Sequence, residues 1–137
     1  SEGEIAFGAP VVLGTAGAVK PWEAASTAAK FVGVALREVK SATDYMNQNE
    51  GGYHKNEAVP VMKRGCVNVI CQNGTPAPGG KVYIRTVENE SYPKAVVGGF
   101  EATADTGKNE ELTNAQWKGS ADANGVAEMR ILTILNA

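Results

Sequence analysis

A chain of 137 residues with 43% hydrophobic content suits one domain, and at this length roughly 68% of the unfolded surface can be buried without metals or disulfide staples. The net charge is −2 and the only basic doublet is Lys63-Arg64, which argues against nucleic acid as the main partner, because phosphate binding needs clustered Lys and Arg. No apolar run approaches the roughly 20 residues that span a bilayer, and Ser1-Glu2-Gly3-Glu4 is not a secretory signal, so synthesis in a cytoplasm without export is expected and no membrane partner.

Residues Ser1 to Thr15 hold Ile5, Phe7, Pro10, Val11, Val12 and Leu13 between glycines. This predicts an extended arm and a first strand. Such an arm is a candidate for strand addition onto a partner, or it caps the protein's own sheet. Ala16 to Lys30 is Ala-rich and reads as a loop or one or two helical turns near Pro21. Phe31 to Val39 predicts a strand with Val32, Val34 and Leu36 on one face. The small residues Gly33 and Ala35 on the other face suggest close approach of another backbone. Lys40 to Asn56 is a long polar loop, and long loops are usually functional. Tyr45 and Tyr53 are placed to pin it. His54, the only histidine, has no assignable nucleophile or carboxylate partner and reads as a solvated loop residue.

Glu57 to Gln72 is the longest strand-like run. Val59, Val61, Val67, Val69 and Cys71 share one face, with Met62, Asn68 and Ile70 on the other. Pro60 places the start of the run at a sheet edge or a strand beginning. Gly65 marks a corner where the strand passes from one sheet to the next. Cys66 and Cys71 would be about 17 Å apart along an extended strand, too far for a disulfide, and they read as buried thiols. No metal site is expected.

Asn73 to Gly80 is turn chemistry without a phosphate-loop ending. Lys81 to Val87 predicts a strand with Val82 and Ile84 on one side and Tyr83 and Arg85 on the other. Glu88 to Ala95 is a second polar loop, and Phe100 to Ala104 a strand. Asp105 to Asn114 reads as polar and mobile, and Gln116 to Ser120 as a hairpin arm around Trp117. Asn124-Gly125 is the strongest hairpin signal. Val126 to Leu135 is the last strand, with Ala127, Met129 and Ile131 inward. Seven to nine short strands predict an all-β fold, a small antiparallel barrel or sandwich with an extended N-terminal arm and long loops.

The chemistry of an enzyme is missing. There is no nucleophile with a base and orienter. Glu50, Glu57 and the adjacent Glu110 and Glu111 read as solubilising loop charge. Asp105, Asp122 and Asn124 are at most a weak cation site. No cofactor is called for. Trp22, Trp117 and four tyrosines leave open a carbohydrate-binding adhesion module, although one buried Trp per hairpin is the simpler account.

One pattern spans nearly the whole chain. It runs Ile5-Ala6-Phe7-Gly8-Ala9-Pro10-Val11-Val12, Phe31-Val32-Gly33-Val34-Ala35-Leu36, then Tyr53 with Ala58-Val59-Pro60-Val61-Met62 and Gly65-Cys66-Val67-Asn68-Val69. Gly80-Lys81-Val82-Tyr83 and Asn124-Gly125-Val126-Ala127-Glu128-Met129-Arg130-Ile131 complete it. In this order and spacing the chain resembles the structural cement (decoration) proteins of tailed bacteriophage capsids. The resemblance implies a β-rich, β-tulip-like protein that is not an enzyme. It implies a place on the exterior of the virion, bound to the major capsid protein, as a homotrimer or alternatively a homodimer. On this reading Ile5, Phe7, Pro10, Val11, Val12, Leu13, Tyr45 and Tyr53 are the expected capsid- or subunit-binding residues.

Overall fold

The structure is a computed structural model that describes residues 1–37 and 51–132. Among these residues the strands are β1 (Ile5–Ala6), β2 (Pro10–Leu13), β3 (Val19–Pro21), β4 (Phe31–Ala35), β5 (Gly52–Tyr53), β6 (Val61–Met62), β7 (Gly65–Ile70), β8 (Lys81–Arg85), β9 (Phe100–Glu101), β10 (Asn109–Trp117) and β11 (Val126–Ile131). They form three antiparallel sheets, ordered β1-β5, β3-β2-β4-β6 and β7-β11-β10-β8-β9. The fold is all-β, as expected, but the sheets do not close into a barrel. They stack as layers.

Two cores separate the layers. Between the four- and five-stranded sheets lie Val12, Phe31 and Val34 on one side, and Val69, Ile84, Trp117 and Met129 on the other. Behind the four-stranded sheet, Val11, Val32 and Ala35 pack against Ile5 and Tyr53 of the small ribbon. β4 is therefore buried on both faces. Its alternation departs from the simple reading because the β2–β4 register slips by one residue between Val11 and Val12, which leaves Val32 as an extra residue. Phe31 and Val34 then share one core, and Val32 and Ala35 the other.

The run from Pro60 behaves as its sequence implies. β6 follows Pro60 at the edge of the four-stranded sheet, and β7 belongs to the five-stranded sheet. Gly65 turns the corner between them at φ 122°, a conformation that a β-carbon disfavours. Cys66 and Cys71 are free and partly buried, and burial raises the Cys71 thiol pKa against the lowering effect of its hydrogen bond to Asn73.

The structure decides two expectations. Of its two readings, the N-terminal segment takes the one in which it caps the protein's own sheets: β1 pairs with β5, and β2 is an inner strand between β3 and β4. Glu2 N–H donates to Val19 O and Asn56 N–H to Ser1 O. The polar stretch before Trp117 is not mobile loop, because β10 begins at Asn109 and pairs with β8 from Arg85 to Val82. Glu110 and Glu111 thus lie in a strand; Glu110 accepts a hydrogen bond from Ala28 N–H at 3.1 Å. The region from Ala16 to Lys30 holds two single 3-10 turns and the edge strand β3, in keeping with the expected loop or short helical turns.

Arg85, on the strand face opposite Val82 and Ile84, is fully buried. Its guanidinium makes a forked pair with Glu101, Nε to Oε2 at 2.6 Å and Nη2 to Oε1 at 2.8 Å. Nη1 donates to Asp105 at 3.0 Å and to Val87 O at 3.2 Å. Asn109 and Gln72 donate to the remaining Glu101 positions. Burial works to lower the Arg85 pKa, but Glu101 and Asp105 outweigh it and hold the pKa above its ordinary value. The loop from Thr86 to Gly99 is tied to this network. Asn89 donates to Asp105 at 2.9 Å, and Gln72 clamps Val96 through both its amide atoms. The loop is long, yet its position is set from beneath.

Two predictions follow from this packing. A β-carbon at Gly33 would lie 2.2 Å from Met62 O, so Gly33→Ala should lower the urea-unfolding free energy by about 1–3 kcal/mol, the usual range for overpacking; an unchanged midpoint contradicts the stacked-sheet geometry. Glu101→Ala strands a buried guanidinium and should cost about 3–5 kcal/mol in the same assay. The network also carries a pH signature. Asn89, then Arg85, hold the Asp105 carboxyl below its ordinary value. A depressed carboxylate adds stability above its unfolded pKa of about 3.9 and loses it as pH falls through the lower folded value. Urea midpoints should therefore fall below about pH 4, and less steeply in Asp105→Asn than in wild type.

Candidate interaction surface

The residues singled out for docking mostly build the interior. Ile5, Val11 and Tyr53 are in the inner core and Val12 in the main core. Pro10 is buried as well. Tyr53 donates its hydroxyl to Leu36 O at 2.6 Å. Phe7 is half-buried and meets Tyr53 edge-on, with ring centroids 5.2 Å apart. Only Leu13, at 50%, is well exposed, and Tyr45 lies outside the described residues. The physical reason is that a short apolar run looks the same whether it reaches outward or fills a two-sided inner strand.

The surface has its own apolar feature. Ile70 and Val96 are 63% and 61% exposed, and both line one open groove of about 530 Å³. Phe7, Leu36, Gly98 and Phe100 line it as well. Three separate folding events place these residues together. β7 carries Ile70 on its outward parity. Gln72 holds the backbone at Val96. The turn at Gly8, with φ 77° and its N–H bonded to Ala35 O, presents Phe7. Among the described lining residues Arg37 is the one that is charged. Sequence reasoning noted Ile70 as opposite the core face and Phe7 as a docking candidate, but Val96 carried no pattern of its own.

The groove runs beside a sheet edge. After β7 the chain turns to meet β9: Gln72 N–H donates to Phe100 O, and Cys71 and Phe100 form a single parallel bridge. From there back toward Gly65, β7 has no strand neighbour except β11 among the described residues. The five-stranded sheet is thus pinned at one end and open along the rest of β7.

Among the described residues reactive side chains do not gather into a site. Among the described residues no three His, Cys, Asp or Glu side chains are grouped to hold a metal ion. Asp105 is engaged with Arg85, and Asp122 accepts from the N–H groups of Asn124 and Val126 in its own turn. His54 lies 4.0 Å from Glu4 at the surface. Trp22 and Trp117 are buried in the main core, so neither offers a stacking face for a sugar. No described helix is long and apolar enough to cross a membrane.

Comparison with known proteins agrees with this picture of a scaffold bearing a surface. The structural cement protein family (E217 gp24/Pam3 gp6) matches residues 1–132. Among solved structures, a chain in "The capsid of Myoviridae Phage XM1" has the same fold, with a TM-score of 0.65 at 17% identity, over 97% of this chain and 79% of that one. No curated protein sequence matches. With nearly its whole length matched, the chain belongs to the bacteriophage structural cement proteins, a capsid family that is structural and not enzymatic.

Proposed function

We propose that this cement protein binds the outer surface of a head shell built of major capsid protein and stabilises the closed shell. The observation that carries the reading is the match of the cement family to residues 1–132, taken with an apolar groove fixed on a rigid β scaffold. Shell binding is a linkage effect. A protein that binds the assembled shell and not its separated subunits stabilises assembly by RT ln(1 + [L]/Kd), about 2.7 kcal/mol at a hundredfold excess over Kd. Bridging adjacent shell subunits, or acting as a homotrimer, adds avidity because later contacts form at high effective concentration.

In this reading the docking face is the groove of Phe7, Leu36, Ile70 and Val96, not the buried residues of β2. Exposed contiguous apolar surface of this kind marks an interaction site. Its anchors stand on a strand and on a clamped loop, so little ordering entropy is lost on binding. A carbohydrate-binding role has no comparable support, since both tryptophans are interior.

The test uses purified undecorated heads. Wild-type protein should bind saturably and raise the temperature at which the heads rupture. Ile70→Asp and Val96→Asp replace solvent-exposed side chains, so their unfolding midpoints should stay within about 0.5 kcal/mol of wild type. Each should weaken head binding about tenfold or more, as loss of an interface anchor does. Wild-type affinity in both variants would remove the groove from the contact. Light scattering on the free protein should give a trimer mass; a dimer would favour two-fold placement.

A further inference from the structure

The edges of the two larger sheets are not alike. Edge strands are normally blunted, by charge, proline, shortness or a cover, because their free N–H and C=O groups invite another strand. β3 carries Lys20 and Pro21. β6 is two residues long and follows Pro60. β9 is two residues long and is covered by the chain at Gln72 and Asn73, with Ala102 N–H donating to Asn73 O. Among the described residues, β7 alone has none of these devices. It is six residues, Gly-Cys-Val-Asn-Val-Ile, without proline or charge.

The register shows which groups it leaves open. Cys71 N–H donates to Gly125 O at 2.8 Å, in line with the β7–β11 pairing. On the far side of β11, Lys118 N–H donates to Glu128 O. Antiparallel strands alternate their bonding direction residue by residue. Val67 and Val69 therefore bond to β11, and Cys66 and Asn68 turn their N–H and C=O groups away from it. Ile70 meets β9 through the bridge at Cys71 and Phe100. Asn68, one of the two, lines the groove.

The surroundings are basic in a chain of net charge −2. Lys63 and Arg64 lead directly into β7, Arg130 stands across from Cys66, and Arg37 lines the groove. All four are exposed. Among the described residues none of them has a carboxylate within ion-pair distance. Glu128, on the same outer face, is held by Lys118 at 3.4 Å.

We infer that the free edge of β7 takes an extended, acidic segment of the shell protein, which adds as a sixth strand and seats its apolar side chains in the groove beside Phe7, Ile70 and Val96. The inference rests on the shell-binding function proposed above and specifies its chemistry. Backbone bonding selects an extended chain, the groove selects alternate apolar side chains, and the four cations select acidic flanks. A second copy of this chain fits less well. Its own β7 edge is flanked by the same cations, which would repel one another across a β7–β7 pairing.

Hydrogen exchange on the wild-type protein, free and bound to undecorated heads, tests this without a variant. The amides of Cys66 and Asn68 should exchange readily in the free protein and become protected on heads. Asn68→Pro removes an N–H that β11 does not use, so the variant should keep its unfolding midpoint and bind heads about tenfold more weakly, the loss of one or two hydrogen bonds. Arg64→Glu with Arg130→Glu should weaken binding and flatten its salt dependence. If heads bind and these two amides exchange as in the free protein, the strand-addition inference fails while the cement function stands. If wild type does not bind heads, both fail. If the amides are protected in the free protein and Asn68→Pro lowers its oligomeric mass, the edge joins copies of this chain and the inference is overturned.

Discussion

The structure depends on one backbone crossing. Between Met62 and Gly65 the chain leaves the four-stranded sheet and enters the five-stranded one. Everything else is arranged so that those two sheets lie face to face. Gly65 supplies the positive φ that the corner needs, and Gly33 supplies the empty space into which Met62 O fits. With the corner in place, Phe31 and Val34 meet Trp117 and Met129 in one core. The single-residue bulge at Val32 then lets the same short strand fill a second core with Ile5 and Tyr53. A five-residue strand thereby contributes to two hydrophobic layers.

The same corner explains the surface. Because β7 starts afresh in a new sheet, it lies at an edge, and its neighbour on the open side is a groove. The polar network under the loop from Thr86 to Gly99 serves that groove at some thermodynamic risk. A buried Arg85–Glu101 pair is weak evidence for stability, since the desolvation of both ions offsets most of their attraction. What the network does is fix geometry. Through Asn89, Asp105 and Gln72 it determines where Val96 stands relative to Ile70.

Local features were legible in the sequence. Gly65 as a corner, Pro60 before an edge strand, Asn124-Gly125 as a turn and the inward parity of Ala127, Met129 and Ile131 are all decided within a few residues, and all appear in the structure. The misreadings were non-local. Pro10 to Leu13 has the composition of an apolar arm, and only its pairing with both β3 and β4 makes it interior. Arg85 shares a strand face with Tyr83, and its burial depends on Glu101, sixteen residues away in a strand of two residues. Asn109 to Glu111 is polar and becomes strand through its ladder with β8. The candidate surface fell in the same class. Ile70 and Val96 are unremarkable alone, and no sequence pattern says which strand of a sheet lies at its edge.

The central claim is that a rigid cement module meets the shell through the β7 edge and its groove. A reconstruction of decorated heads tests it most directly. The account predicts the protein on the outer face of the shell, with Phe7, Ile70 and Val96 turned toward shell density and an added strand beside Cys66 and Asn68. Decorated heads in which that edge and groove face solvent would contradict it.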